Sequence, residues 1–270
     1  MSRLPGADDM TVKADFSREP GPEWKRLVLP GSAIEHTERA WWFVNQNVEA
    51  GRYTDAQIDD YQGLPRRRFR WRAPLTLTVR ARFSHPAGEL IGTAGFGFWN
   101  DPFLMTGARL PALPRAIWFF YASPPSNMKL DLNTPGRGWK AATIDAIRLP
   151  FFLLAPLAPL AVPLMNLRPL YRMLWPPGQR AMGVGEALIP APMTEWHTYR
   201  LEWGERQARF SVDDEIILTC DTPPRGRLGF VMWIDNQALI ATPQGRFGWR
   251  ALAVPHRQWM AVSRLEITPA

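Results

Sequence analysis

A chain of 270 residues that is 46% hydrophobic and 12% aromatic can bury one large β core or two small ones, which excludes intrinsic disorder as a description of the whole. Its 32 Lys and Arg against 25 Asp and Glu leave a net charge of +7, a balance that favours anionic surfaces and carboxylate or phosphate partners. A single cysteine, Cys220, excludes an intramolecular disulfide and any paired-cysteine metal site.

Residues 1–22 are polar, carry Pro5, Pro20 and Pro22, and are expected to form a loosely ordered lead-in to a single domain spanning 23–270. The opening MSRLPGADDMTVKADF lacks the uninterrupted apolar run of a secretory signal. With the lone cysteine, this predicts a cytoplasmic protein. Short apolar runs follow at Lys25–Leu29 and Trp41–Val44, then a strand-turn-strand pattern through Phe69, Trp71 and Leu75, with nothing convincingly helical. Arg66, Arg67, Arg68, Arg70 and Arg72 interleave with Phe69 and Trp71. The pattern is that of an outward arginine face on a strand, and no nucleic-acid partner is expected from it.

Leu75–Phe83 alternates strictly, with Leu75, Leu77, Val79, Ala81 and Phe83 on one face and Thr76, Thr78, Arg80 and Arg82 on the other. After a turn at His85-Pro86-Ala87-Gly88, the segment Glu89–Trp99 carries Gly92, Gly95 and Gly97. Glycines inside a strand mark a bulge, a tight crossing, or a place where another backbone or a ligand comes close. Asn100-Asp101-Pro102 ends it, and Ala116–Tyr121, AIWFFY, reads as a short, continuous aromatic strand.

The character then changes. An insertion of about 143–185 contains the run Leu149–Leu167, which has no charged residue and reaches the length at which a membrane-spanning helix must be considered. Pro150, Pro156, Pro159 and Pro163 argue against one, because an interior proline removes a donor and costs roughly 3 kcal/mol. Short helical turns between two strands are expected instead, with Arg148, Arg168, Arg172 and Arg180 at their margins. Three fates fit that apolar surface. It packs on the protein's own sheet as a lid, it dips residues 149–176 into a membrane interface and makes the protein peripheral to that membrane, or it meets a partner protein.

The final third returns to β structure. In Trp196–Cys220, His197, Tyr199, Leu201 and Trp203 share one side, Gly204-Glu205-Arg206 turns, and Ala208, Phe210 and Val212 resume the apolar face before a second turn at Asp213-Asp214. Arg227–Ile234, Phe247–Ala253 and Gln258–Ile267 follow. The spacing between Val262 and Leu265 breaks alternation and predicts a bulge near Ser263. Many short strands with one large insertion predict an all-β protein, a two-sheet β-sandwich.

The succession GRYTDAQI, LTLTVRARFSHPAGELIGTAGFGFW, WHTYRLEWGERQARFSVDDEIIL and QWMAVSRLEI resembles that of laminarinase-like and lichenase-like glycoside hydrolases, family 16 type, and of their concanavalin-A-like lectin relatives. In those families a pair of the type GRFEARIKLPxGxGLWPAFW precedes the catalytic strand, and HxYxIEWxPxxIxFYVDG precedes a last strand of the type MxVDYVRVY. The resemblance covers about residues 50–125 and 194–268 and implies a concanavalin-A-like jelly roll carrying a proline-rich apolar insertion. The family acts through a Glu-x-Asp-x-x-Glu strand, in which one carboxyl protonates the leaving oxygen and another attacks the sugar carbon. Ala116–Tyr121, the corresponding strand, has no carboxylate, so no residue is carried over as nucleophile or acid.

On the side where the resemblance places a concave site, the candidate ligand contacts are Trp99, Asn100, Trp118, Phe120, Tyr121, Trp233, Asn236 and Gln237. The aromatic rings fit stacking on a sugar or a flat apolar ligand, and equally fit core packing. Asp235-Asn236-Gln237 fits the orientation of ligand hydroxyls or an ordinary turn. Asp101 and Asp235 are the candidate acids, because a carboxyl roofed by the apolar insertion would hold its proton. His36, His85, His197 and His256 have no partner spacing, so no metal and no cofactor is implied. Two functions follow as expectations: lectin-like binding of a carbohydrate, glycolipid or other small hydrophobic ligand, or an enzyme using Asp as general acid on a lipid-like substrate. A module whose insertion docks a partner is the third.

Overall fold

The computed structural model describes residues 11–37, 39–102 and 110–270. In chain order its strands are β1 (Val12–Lys13), β2 (Lys25–Val28), β3 (Ser32–Thr37), β4 (Ala40–Asn45), β5 (Asp55–Asp59), β6 (Leu75–Phe83), β7 (Thr93–Trp99), β8 (Arg115–Ala122) and β9 (Gly138–Asp145). Three helices come next, α1 (Leu149–Leu154), α2 (Ala158–Leu164) and α3 (Arg168–Ala181). The remaining strands are β10 (Gly185–Leu188), β11 (His197–Trp203), β12 (Ala208–Val212), β13 (Glu215–Cys220), β14 (Gly229–Asp235), β15 (Gln237–Ala241), β16 (Phe247–Ala251) and β17 (Gln258–Pro269).

Among the described residues these strands build two large antiparallel sheets. The first runs β13-β12-β11-β6-β17-β4-β3 with β1 added to β17, the second runs β10-β9-β8-β7-β14-β5-β2, and β15-β16 stands apart as a hairpin. The alternation of β6 decides how the first sheet faces: Leu75, Leu77, Val79, Ala81 and Phe83 are buried against the second sheet while Arg80 is exposed. From the second sheet Phe96, Phe98, Ile117, Phe119, Phe230, Met232 and Ile234 fill the same core. The expected meander is present as β11-β12-β13, turning through Asp213 and Asp214 at positive φ. A register shift between Val262 and Arg264 places the bulge of β17 at Ser263.

Several segments depart from expectation. Arg66–Arg68 form a 3₁₀ turn rather than a strand face, with Phe69 and Trp71 buried. The Arg66 guanidinium donates to the carbonyls of Asn100, Asp101 and Leu110 at 2.6–2.7 Å and so fixes the end of β7. Residues 1–10 of the lead-in lie outside the described residues. From Val12 onward the chain is part of the sandwich, because β1 pairs with β17 and Phe16 packs on Trp41 at 4.5 Å.

The insertion lies between β9 and β10. Pro150, Pro159 and Pro169 each occupy a first helical turn, where the missing N–H costs no hydrogen bond and the fixed φ suits a helix. The prolines therefore divide the apolar run into helices of 6 and 7 residues ahead of the 14-residue α3. Among the described residues no helix is long and apolar enough to cross a membrane.

Candidate functional site

The face of the second sheet turned away from the core carries the candidate residues, and strand register sorts them into rows. One row crosses Asp55 on β5, Asp235 on β14, Thr93 on β7 and Ala122 on β8. The next crosses Gln57, Trp233, Gly95, Phe120 and Lys140, and the next Asp59, Val231, Gly97, Trp118, Ala142 and Glu186.

Trp118 is the hub of the aromatic part. Its ring lies 5.2 Å from Phe120, 5.4 Å from Trp233 and 5.7 Å from Trp99, spacings at which aromatic rings attract. Gly95 and Gly97 make room for the cluster: a Cβ on Gly97 would sit 2.6 Å from the Trp118 Cα, and one on Gly95 would sit 2.3 Å from the Phe119 carbonyl oxygen and 3.0 Å from the Trp233 ring. The backbone and rings of the protein itself are what come close to this glycine run. Met128, Leu130 and Met182 pack on the cluster from above, leaving Trp118 partly exposed while Phe120 and Trp233 are buried.

Asp235 belongs to the polar end. Its Oδ1 accepts from the Thr93 amide at 3.0 Å, the Thr93 hydroxyl at 2.8 Å and the Gln237 amide at 3.0 Å. Its Oδ2 faces the Gln237 side chain at 2.5 Å and the Tyr53 hydroxyl at 3.4 Å. Asp55 stands directly across the strand pair, and among the described residues neither of its oxygens has a partner in good hydrogen-bond geometry. Burial, then the neighbouring Asp235 charge, push the Asp55 carboxyl well above the ordinary carboxylate range. Burial pushes Asp235 up to about 7 against the pull of its donors. Two carboxyls this close in a dry site do not both ionise near neutrality, and they titrate as a pair. Gln237 connects the pair to the surface, because its Oε1 accepts from Trp249 Nε1 at 3.0 Å, and the Trp249 ring lies 5.9 Å from Tyr53. Gly92 fixes the neighbouring backbone crossing: at φ +97° its missing side chain leaves the Asp235 carbonyl oxygen 2.0 Å from where a Cβ would be.

The remaining candidates take other places. Asp101 is buried at positive φ beyond the opposite end of β7, whose six steps from Thr93 to Trp99 span about 20 Å, so the two candidate acids do not meet. Asn100 ties its loop to β8, its Oδ1 accepting from the Arg115 amide at 3.0 Å and its Nδ2 donating to the Leu113 carbonyl at 2.9 Å. Tyr121, expected beside Trp118, points the other way: strand alternation sends it into the inter-sheet core, where its hydroxyl donates to the Leu90 carbonyl and accepts from the Gly88 amide. Asn236 holds backbone, accepting from the Thr54 amide and donating to the Arg52 and Leu252 carbonyls. Asp55, Gln57, Asp59 and Tyr53 were not among the sequence candidates. The polar alternation of Asp55, Gln57 and Asp59 in DAQID is the signal that marks them. Among the described residues no group of three or more His, Cys, Asp or Glu is arranged to hold a metal ion.

No protein-family model matches the sequence, and neither does any curated protein sequence. The fold is similar to that of a β-glucanase from Bacillus licheniformis, at 9% identity and a TM-score of 0.56, covering 96% of this chain and 98% of that one. A family 16 glycoside hydrolase endo-glucanase from Bacteroides ovatus aligns at 12% identity and a TM-score of 0.51, over 95% of this chain and 99% of that one. An endo-β-galactosidase from Clostridium perfringens that releases GlcNAcα1-4Gal aligns at 12% identity and a TM-score of 0.50, over 99% of this chain and 64% of that one. At these identities the likeness establishes the fold alone, a concanavalin-A-like jelly roll.

Proposed function

On a fold shared with those glycoside hydrolases, we propose that this chain binds a carbohydrate, free or carried on a lipid, against the outer face of its second sheet. The observation that carries the reading is Trp118, a partly exposed indole at the centre of a four-ring cluster, at the middle of the sheet. An indole held rigid on three sides presents a flat apolar surface at little entropic cost, which suits the C–H face of a sugar ring. Trp118→Ala is expected to weaken glycan binding by about tenfold or more, while Trp118→Phe retains most of it. Glycan-array binding followed by calorimetry on the leading glycan reads this directly. Array binding that survives Trp118→Ala would sink the proposal.

The Asp55–Asp235 pair favours a second reading, acid chemistry on a glycoside or lipid-like substrate. With one proton shared between two carboxyls at neutral pH, Asp235 is a competent general acid, and its Oδ1 is locked by three donors so that Oδ2 is the reacting oxygen. The Gln237 side chain and the Tyr53 hydroxyl face that oxygen, so a substrate reaches it by displacing them. Such a substrate would approach over the helical insertion, where Leu149, Leu153, Leu157, Leu160 and Leu167 are 59–71% exposed. Asp235→Asn and Asp55→Asn are each expected to cut turnover of any substrate found by at least a hundredfold. Full activity in either variant removes this reading and leaves the binding one untouched.

A further inference from the structure

A cleft of about 270 Å³ lies where the insertion meets the tip of the β15-β16 hairpin, close to the lower end of small-molecule pocket volumes. Three parts of the chain build it. The segment following β8 supplies Asn127 and Lys129, while the intervening Met128 packs on the aromatic cluster below. The start of α3 supplies Arg168 and Tyr171, and the hairpin turn supplies Thr242 and Arg246. The junction is tight, since a Cβ on Gly245 would lie 2.8 Å from Val162 of α2.

The chemistry of the lining is one-sided. Lys129, Arg168 and Arg246 contribute three cations, and among the described residues no acid lines the cleft. None of the three forms a salt bridge among the described residues, although Lys129 Nζ donates to the Thr134 carbonyl at 3.1 Å. The acids that act on Tyr171 electrostatically are engaged elsewhere: Asp131 accepts from the Asn133 and Thr134 amides and Glu186 pairs with Lys140. The first turn of α3 carries no acid, so the positive end of its dipole adds to the same field.

Two hydroxyls provide the independent observation. Thr242 is 8% exposed, and its Oγ1 has no hydrogen-bond partner among the described residues. The Tyr171 hydroxyl is likewise buried without one. Buried hydroxyls are rarely left unpaired in native proteins, and both of these residues line the cleft that carries the Arg168 and Arg246 guanidinium groups and the Lys129 ammonium. We propose that Lys129, Arg168 and Arg246, with the hydroxyls of Tyr171 and Thr242, form a binding site for a phosphate monoester. Arginine forks and hydroxyl donors match the acceptor-rich phosphate, and the volume leaves room for the group that bears it. The ester comes from one of two sources, an anionic lipid headgroup delivered along the exposed leucines of α1 and α2, or a soluble phosphate ester. The site is separate from the sheet face that carries the proposed glycan, and its test involves no glycan.

Calorimetric titration of the full chain with inorganic phosphate, at ionic strength fixed with chloride, tests the site. Saturable binding is expected, roughly a hundredfold weaker in Arg168→Gln/Arg246→Gln and roughly tenfold weaker in Thr242→Val. Both arginines are exposed, so unchanged circular dichroism in the double variant separates lost binding from lost folding. Absence of saturable binding, or equal affinity in the double variant, overturns the proposal. Flotation with phosphatidylcholine vesicles containing phosphatidic acid then identifies the source. Flotation lost in Arg168→Gln/Arg246→Gln, and separately in Leu157→Ser/Leu160→Ser with phosphate binding intact, assigns a lipid headgroup. Phosphate binding without flotation assigns a soluble ester, and flotation that survives the double arginine variant counts against the site.

Discussion

Lys140→Met is expected to cost roughly 3–5 kcal/mol of stability, read as a lowered midpoint in urea or thermal unfolding. The Lys140 ammonium has no solvent exposure; it donates to Glu186 Oε1 at 2.8 Å and to the Pro135 carbonyl at 3.2 Å. Glu186 in turn accepts from the Asp131 amide at 3.2 Å and receives the Thr134 hydroxyl on its main-chain oxygen at 2.9 Å. The pair therefore pins β9, β10 and the 131–135 segment together. Burial already pushes the Glu186 carboxyl upward, with Lys140 the chief opposing influence. Removing the lysine leaves that carboxylate in a dry site with its counter-charge gone, and it takes up a proton. Lys140→Met/Glu186→Leu is expected to recover most of the loss, because two apolar groups leave no charge uncompensated. A single variant as stable as the double one would show that the pair is solvated.

Thermal stability is expected to fall as pH rises from about 5 to 8. Burial is the leading cause in all four cases: it raises the carboxyls of Asp55 and Asp59 above their ordinary range and brings Asp60 and Asp235 up to about 7. An acid whose pKa is higher in the folded than in the unfolded chain binds more protons when folded. Its protonated form stabilises the fold at low pH, and that stability is lost between the unfolded value near 3.8 and the folded value near 7. For Asp60 and Asp235, brought up to about 7, the contribution is on the order of a few kcal/mol each. The opposing carboxyls, Asp15, Glu35, Asp213 and Glu266, are held low by hydrogen bonds and ion pairs at the surface, where solvent screens them. Asp235→Asn mimics the protonated acid, so its melting temperature at pH 8 is expected to equal or exceed that of the parent, with a flatter pH profile. A parent-like slope in that variant would place the neutral form of the pair on Asp55 alone.

The two sheets were legible wherever one face of a strand meets the core and the other meets water. β11 reads directly from HTYRLEW, where burial alternates residue by residue, and Ser263 announces its bulge by a single slipped position. Legibility fails where both faces are buried. AIWFFY has no polar member to orient it, so only pairing with β7 and β9 shows that Trp118 and Phe120 face outward while Tyr121 faces inward. β5 and β9 were harder still, because Asp55, Asp59 and Lys140 are residue types depleted from strands, yet here they lie inside. The acid pair is a product of register between β5 and β14, far apart in sequence, and local pattern carries no record of that pairing. Prolines spoke clearly against a spanning helix, but the placement of Pro150, Pro159 and Pro169 in first turns, where they favour short helices, depends on which residues precede them.

Gly92 has a consequence for how this site would pass from one sequence to another. An aspartate can become an asparagine and keep its shape, so the acids of β5 and β14 can be lost from a lineage without disturbing the sheet. Any side chain at position 92, by contrast, would press on the main chain of Asp235 and Asn236 and force β7 and β14 apart. The glycine would outlast the chemistry it accommodates. In divergent descendants it marks where the carboxyl pair stood, whether or not the carboxyls are still there.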